Sequence, residues 1–483
     1  MYDIGLLIGD TDSQAASGAV FERLNPVVGA VAPRAPAAAP ADCKAACDAA
    51  AAAFPVWSEM GPAARRAVLN KAADLMVARA GEFVDAMMTE VGATQGWAMF
   101  NIGLASGMLR EAAAITSQIS GEVIPSEHGS RLSMAIRQPA GVVVGIAPWN
   151  APIILGTRAV AVPLACGNTV DLKASEQCPR THYLIGSVLR EAGLPAGAIN
   201  VVTNAPVDAP GVVEALIAHP AVRRINFTGS TKVGKIIAGI AAQHLKPVLL
   251  ELGGKSPMLV LKDADLDDAV AAAGFGAFMN QGQICMSTER IVVVPEIADA
   301  FVAKFAAKAK TLKAGDPREG KTPLGAIVNA DAAAHIRSLI EDALAKDASM
   351  PAGGLGEGLL MDSTFLDRVT PDMRIYGEES FGPVTTVVRA RDEEDAIRIA
   401  NDTEYGLSAA VFTKDIARGI QVAKRIQSGI CHINSSTVQD EAQMPFGGVK
   451  ESGIGRFGGR QGIDAFTDTR WISIETGHAH YPI

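Results

Sequence analysis

A thiol attacks carbon only when it is reachable and can lose its proton, and of the six cysteines Cys285 alone has neighbours that suggest both. It closes the run Asn280-Gln281-Gly282-Gln283-Ile284-Cys285, whose amides and glycine read as a turn reaching a cleft. Cys43, Cys47, Cys166, Cys178 and Cys431 lack such surroundings and read as small buried hydrophobes. Two other residues could assist a thiol. Glu251, in Glu251-Leu252-Gly253-Gly254-Lys255, is a carboxylate followed by paired glycines that leave the backbone room to reorient; it fits a general base, and equally a strand-end carboxylate paired with Lys255. Asn150, in Pro148-Trp149-Asn150-Ala151-Pro152, lies between a predicted strand and helix, where its amide could face a developing oxyanion or simply close a turn.

Two more segments concern phosphate and sugar. Gly229-Ser230-Thr231-Lys232-Val233-Gly234 follows a predicted strand and opens a helix, so its first-turn N–H groups could meet a phosphate, or merely make a tight helix start. Ile236 stands after Lys235 where a Walker A loop needs Ser or Thr for Mg²⁺, which disfavours an NTPase, and the spacing is not GxGxxG. Lys173-Ala174-Ser175-Glu176 ends another predicted strand. A carboxylate there can accept from both ribose hydroxyls and repels a 2′-phosphate, which favours NAD over NADP; the alternative is a solvated Lys/Glu pair.

These residues need a scaffold. Apolar strands alternate with helices from residue 141 onward: strand 142–146, helix 152–164, strand 169–173, helix 181–192, strand 198–202 and strand 224–227, which predicts a parallel, doubly wound α/β sheet. A second alternating block, 257–447, predicts a second α/β domain. Segments 131–138 and 469–475 alternate with period two and would form a small projecting sheet that pairs with another subunit. Ahead of these, after an irregular lead, helices are predicted over 42–54, with Asp42 as N-cap, and over 61–91; the Ala/Pro cluster 30–41 reads as a surface connection. Asp171 is out of place in a buried strand.

The 483 residues allow about three domains. A net charge of −9, with no Lys/Arg-rich run, makes nucleic acid a poor partner. No CxxC pair or His at ligand spacing points to a metal, so the thiols read as reduced and cytoplasmic. The first residues lack a basic start followed by an apolar run, so no secretory signal is expected. The longest uncharged stretch, 139–157, is interrupted by prolines and glycines and reads as strand, turn and helix start rather than a membrane span.

Taken in order, Pro148-Trp149-Asn150, Lys173-Ala174-Ser175-Glu176, Phe227-Thr228-Gly229-Ser230-Thr231, Glu251-Leu252-Gly253-Gly254-Lys255, Gln281-Gly282-Gln283-Ile284-Cys285, Glu378-Glu379-Ser380-Phe381-Gly382-Pro383 and Pro445-Phe446-Gly447-Gly448 resemble the NAD(P)-dependent aldehyde dehydrogenase superfamily across nearly the whole chain. The stretch from Trp149 to Arg158 is similar to the bacterial aromatic-aldehyde branch, the salicylaldehyde, vanillin and benzaldehyde dehydrogenases. The resemblance implies a discontinuous NAD-binding domain over 1–120 and 142–253, a catalytic domain over 254–453, and an oligomerisation arm over 121–141 and 465–483 of a homodimer or homotetramer. It implies that Cys285 attacks the aldehyde, that Asn150 and the Cys285 N–H hold the oxyanion, and that Glu251 activates water against the thioester. Cofactor contacts would come from Ile146, Pro148, Trp149, Lys173, Glu176, Gly229, Ser230, Thr231, Gly234, Glu379 and Phe381. Arg158 lies three and seven residues after Leu155 and Ala151, on one helix face, and would line the aldehyde tunnel, bonding a ring hydroxyl or stacking on the ring; the alternative is an Arg ion-paired away from the tunnel. Trp97, Met279 and Phe446 would supply apolar walls.

The chain departs from the family at Arg158-Ala159, where many members carry an aromatic residue and Lys, and at Phe457, where many carry an acid; this puts a Lys-to-carboxylate proton relay in question. Alternatives are an aliphatic or broad-specificity aldehyde dehydrogenase, an acylating enzyme using coenzyme A, a thiol hydrolase, and a non-catalytic binding protein on the same fold. Glu251 argues against the acylating enzyme, and the lack of a histidine placed beside Cys285 against the hydrolase.

Overall fold

The computed structural model describes residues 2–320, 322–479 and 481–483. Five parallel strands form the centre of an eight-stranded sheet, in the spatial order Val248–Glu251, Val222–Thr228, Val142–Ile146, Thr169–Lys173, Ile199–Val202. Gly453–Ile454 adds antiparallel at one edge, and Leu6–Ile8 with Thr11–Ser13 at the other. The central strands are apolar on both faces because helices cover both, Pro152–Ala165 and Pro179–Glu191 on one side, Ala209–Ala218 and Thr231–Gln243 on the other. A seven-stranded sheet, parallel except for Ser349–Ala352, spans Ser256–Val260 to Ile430–Ile433 and packs between two further apolar clusters. Among the described residues no helix is long and apolar enough to cross a membrane.

Several expectations change in detail. The lead is not irregular: besides the two edge strands, Val20–Leu24 and Val31–Pro36 pair with each other and with Tyr2–Asp3. The Ala/Pro cluster is therefore half strand, its small side chains burying where composition alone suggested a surface connection; Ala35, Ala37 and Ala38 are all buried. The first helix runs Pro40–Glu59, so Asp42 is not its N-cap. It sits inside the first turn and accepts from the Ala39 and Ala16 N–H groups at 2.9 and 2.8 Å, satisfying donors that the helix cannot. The long helix predicted to Val91 breaks at Arg79 into Pro62–Ala78 and Ala80–Val91, and a further helix, Gln95–Ile115, follows. The projecting sheet has three strands, Glu122–Ile124 joining Arg131–Pro139 and Thr467–Glu475, the last two paired without a break from Thr467↔Pro139 to Glu475↔Arg131.

Asp171 has a structural account. It is fully buried against the first helix, where it accepts from Asn200 Nδ2 at 2.8 Å and lies beside the Cys47 thiol, and burial pushes its carboxyl up to about 6. Asn200 also bonds the Ala46 carbonyl and the Gly9 N–H, so this polar pair ties sheet, helix and N-terminal hairpin together.

The helix that carries Arg158 is seated by a glycine. A Cβ at Gly156 would lie 2.5 Å from Ile185 Cδ1 and 3.0 Å from the ring of buried His182, so Pro152–Ala165 can approach its neighbour only with hydrogen there. Gly156→Val is expected to cost about 1–3 kcal/mol, read as a lower urea midpoint at unchanged slope.

Candidate active site

Strand register brings the motifs to one edge. Ile146 lies opposite Lys173 and Phe227, and Thr228 opposite Glu251, so the chain leaves four parallel strands at the same level. Ligands of such sheets bind in the crevice outside the carboxyl ends of the strands. Here Pro148, Trp149, Asn150, Gly229, Ser230 and Glu251 meet Leu155, Cys285, Glu379 and Phe381 from other segments around a cleft of about 210 Å³. Thr228, Leu252 and Gly253 also line it and were not anticipated.

Cys285 is placed by an unusual turn. Asn280 and Gln281 take left-handed backbone angles, φ 49° and 56°, followed by Gly282 at 69°, where a Cβ would sit 1.9 Å from the Gly382 carbonyl oxygen. Side-chain amides hold this strained path. Gln281 accepts from the Gly325 N–H at 2.9 Å and donates to the Ala326 carbonyl at 3.0 Å, and Gln283 accepts from the Val328 N–H at 3.0 Å. The polar composition that marked the turn is thus its anchoring to residues 325–328.

The glycines after Glu251 serve close approach rather than the freedom to reorient. A Cβ on Gly254 would lie 2.3 Å from the Cys285 carbonyl oxygen, and one on Gly253 would lie 2.7 Å from the Glu379 carboxylate, which accepts from the Gly254 N–H at 2.8 Å. Lys255 does not pair with Glu251. It is buried against Glu289 at 2.5 Å, and Glu289 also accepts from the Ser380 and Phe381 N–H groups at 2.8 and 3.0 Å. That network holds Phe381 at φ 48° with its ring edge-on to Trp149, centroids 5.7 Å apart.

Glu251 is fully buried, and no nitrogen or oxygen donor reaches either of its carboxylate oxygens. Its polar neighbour is the Cys285 thiol. Burial pushes the Glu251 carboxyl up to about 7 against the pull of the Arg158 charge, and burial together with the Glu251 charge holds the thiol well above its ordinary value. Glu379 is raised as well, by burial and by the charge of Glu289. A base near neutrality beside a protonated thiol is an arrangement for moving one proton.

Asn150 donates Nδ2–H to the Gln283 carbonyl at 3.0 Å, and its backbone carbonyl accepts from Trp97 Nε1 at 3.0 Å and Asn280 Nδ2 at 2.9 Å. An amide has two N–H groups, so one remains after the bond to Gln283. Trp97, expected as a wall, is buried and stacked on Phe100, and acts on this site by fixing Asn150. Met279 opens the strained turn and Ala151 precedes the first turn of the Arg158 helix.

Ser230 caps the Thr231–Gln243 helix, whose N-terminus opens on the cleft. Thr231 and Gly234 face elsewhere: the Thr231 hydroxyl donates to the Glu451 carbonyl at 3.0 Å, and a Cβ on Gly234 would meet Leu252 at 2.5 Å, which makes it a packing glycine. Lys173 and Glu176 form an ion pair that is mostly buried rather than solvated, and Asn204 Nδ2, not anticipated, donates to Glu176 at 2.9 Å.

The ion-paired reading of Arg158 is the one the contacts show. Arg158 pairs with Asp440, and both side chains are more than nine-tenths buried. It also lines a second, narrow cleft with Met108, Asp440, Phe446 and Phe457, its guanidinium 4.1 Å from the Phe446 ring centroid and 5.9 Å from that of Phe457. On one helix face, Leu155 lines the first cleft and Arg158 the second. Among the described residues no group of His, Cys, Asp or Glu is placed to hold a metal ion.

Residues 13–472 match the family described as the aldehyde dehydrogenase family. The chain is 56% identical to a vanillin dehydrogenase of Pseudomonas fluorescens over 483 residues, all of both chains, and 49% identical to a salicylaldehyde dehydrogenase of Pseudomonas putida over 478 residues, 99% of each. It superposes on the crystal structure of a salicylaldehyde dehydrogenase from Pseudomonas putida G7 complexed with salicylaldehyde with a TM-score of 0.98 and 48% identity, covering all of both chains.

Removing one member of the buried Lys255–Glu289 pair strands the other. Glu289→Ala is expected to lower stability by about 3–5 kcal/mol in urea denaturation; a loss below about 1 kcal/mol would mean that the ammonium finds another partner.

Proposed function

The chain belongs to the aldehyde dehydrogenase family, and from that membership we propose that it oxidises an aromatic aldehyde to the carboxylic acid, with Cys285 as nucleophile and Glu251 as general base. The observation that carries this reading is the Cys285 thiol beside a donor-free, buried Glu251, with the Asn150 amide on the neighbouring turn. The aromatic substrate rests on the names of the similar proteins, vanillin and salicylaldehyde dehydrogenases, and on the aromatic lining of the second cleft.

The chemistry of the cleft residues fits a nicotinamide dinucleotide. The N-terminus of the Thr231–Gln243 helix suits a pyrophosphate. Asn204 Oδ1 is buried and without a partner next to the Lys173–Glu176 pair, an acceptor suited to a ribose hydroxyl. Trp149, Glu379 and Phe381 would stand at the nicotinamide end. When bound, the dinucleotide supplies the acceptor for the hydrogen that leaves the aldehyde carbon with its electron pair. The Glu176 carboxylate favours a free 2′-hydroxyl, hence NAD over NADP.

In the proposed sequence the Cys285 sulfur bonds the carbonyl carbon as its proton passes to Glu251, and the carbonyl electron pair moves to oxygen. The free N–H of Asn150 and the Cys285 backbone N–H hold that oxyanion. After oxidation Cys285 carries a thioester. Glu251, having released its proton, takes one from water, hydroxide adds to the thioester carbon, and the carbon–sulfur bond breaks to give the acid and the thiolate. The only cysteine–histidine contact found among the described residues, Cys178 with His182, is sealed in the core and offers no route to a thiol hydrolase.

The projecting sheet exposes Trp471 and Val123 to 73% and 69%, apolar surface that a second copy would cover. A homodimer or homotetramer follows from this reading, and six unpaired cysteines suit a reducing, cytoplasmic setting.

Protein, NAD and benzaldehyde without coenzyme A are expected to yield reduced cofactor and benzoate, whereas no reduced cofactor across a broad aldehyde panel removes the proposal. Glu251 must be ionised to take a proton and its carboxyl sits at about 7, so kcat is expected to fall as the pH drops through about 7.

A further inference from the structure

We propose that Asp440 accepts a hydrogen bond from a hydroxyl on the far side of the substrate ring, making the site selective for hydroxylated aromatic aldehydes in their neutral form. This rests on the aromatic-aldehyde reading above and adds the residue that reads the ring.

The Asp440 side chain is 8% exposed and lines the second cleft. Its Oδ2 is held by Arg158, while Oδ1 is buried with no hydrogen-bond partner. Buried carboxylate oxygens are ordinarily satisfied, and one without a donor on a residue that lines a cleft is an acceptor awaiting a donor. Arg158 is locked by Asp440 and by the Phe446 ring, so the orientation of Oδ1 is set before a ligand arrives.

Position selects where the donor must be. Leu155 lines the cleft that holds Cys285, and Arg158 lies three residues on along the same helix face, a rise of about 4.5 Å. A ring whose carbonyl carbon meets Cys285 extends along that face toward Arg158 and Asp440. The second cleft is small, about 20 Å³, and a pocket of roughly 10–15 Å³ holds one water-sized group. It therefore takes a hydroxyl at the meta or para position, whereas a hydroxyl adjacent to the carbonyl stays beside Cys285.

Charge selects the protonation state. A phenol donates O–H to Oδ1; a phenolate has no proton to give. Around Asp440 stand one cation, Arg158, and the carboxylates of Glu111 and Glu441 on the cleft wall, with the Glu251 carboxyl close enough to feel the Asp440 charge. The balance is negative and opposes a second anion.

The test is the ratio of kcat/KM for 4-hydroxybenzaldehyde to that for benzaldehyde, with 4-methoxybenzaldehyde, which has no proton to donate, as a third substrate. In the unmodified enzyme the hydroxy ratio should exceed the methoxy ratio by about ten-fold and fall as the pH rises through the phenol's own pKa; effects of Glu251 cancel, being common to all three substrates. In Asp440→Asn, where Arg158 retains the amide oxygen and the NH2 group turns to the cleft, the hydroxy ratio should drop about ten-fold. A ratio that rises as the phenol ionises would assign recognition to Arg158 acting on a phenolate and overturn the proposal. So would equal ratios for hydroxy and methoxy rings, and so would a hydroxy ratio unchanged in Asp440→Asn. If that variant does not fold, the pH series on the unmodified enzyme decides. Absence of turnover with benzaldehyde itself would instead sink the underlying reading.

Discussion

One buried carboxylate governs this site. Glu251 is removed from water with no N–H or O–H on either oxygen, and its neighbour is the half-buried Cys285 thiol that lines the cleft. A carboxyl raised from 4.5 to about 7 represents a cost of about 3 kcal/mol when ionised. Its folded-state value is raised, so the stability it contributes is present below the unfolded value and is lost as the pH rises through about 7. The fold tolerates this because the surrounding elements are over-determined: the two-glycine contact with Cys285 and Glu379, the amide-anchored turn over 280–283, and the Lys255–Glu289 pair all converge on the same few atoms.

That convergence explains how a carboxylate and a thiol far apart in the chain come to lie side by side. Glu251 ends a strand of the eight-stranded sheet, and Cys285 precedes Thr288–Val293 of the seven-stranded sheet. Gly254, in the short link between the two sheets, touches the Cys285 carbonyl, so the link that joins the sheets also brings the Glu251 strand up to Cys285. The helix Pro152–Ala165 extends the arrangement sideways, from Leu155 at the Cys285 cleft to Arg158 at the second cleft.

Much of this was legible in the sequence because the informative residues follow strand ends. Asn150, Gly229, Glu251 and the strand Thr169–Lys173 could be placed from apolar runs and turns, and the doubly wound sheet followed from their alternation. What could not be read were partners fixed by tertiary packing. Lys255 lies four residues after Glu251 but pairs with Glu289; Asp440, the partner of Arg158, lies far along the chain in a segment with no regular pattern. Paired glycines look the same whether they confer motion or permit contact, and here a Cβ on either would lie under 3 Å from a neighbour, which decides for contact. Thr231 and Gly234 belong to the phosphate-like loop by spacing, yet their bonds and packing turn them to Glu451 and Leu252. The N-terminal strands were missed because short, alanine- and proline-rich segments carry little periodic signal.

The central claim is that the acyl group resides on one sulfur and leaves only with the help of one carboxylate. The direct measurement is intact and peptide mass spectrometry of Glu251→Gln after incubation with NAD and benzaldehyde. The account predicts a single benzoyl group on Cys285, accumulating with about one equivalent of reduced cofactor. An acyl group on another residue, or full turnover by Glu251→Gln with no acylated protein, would contradict it.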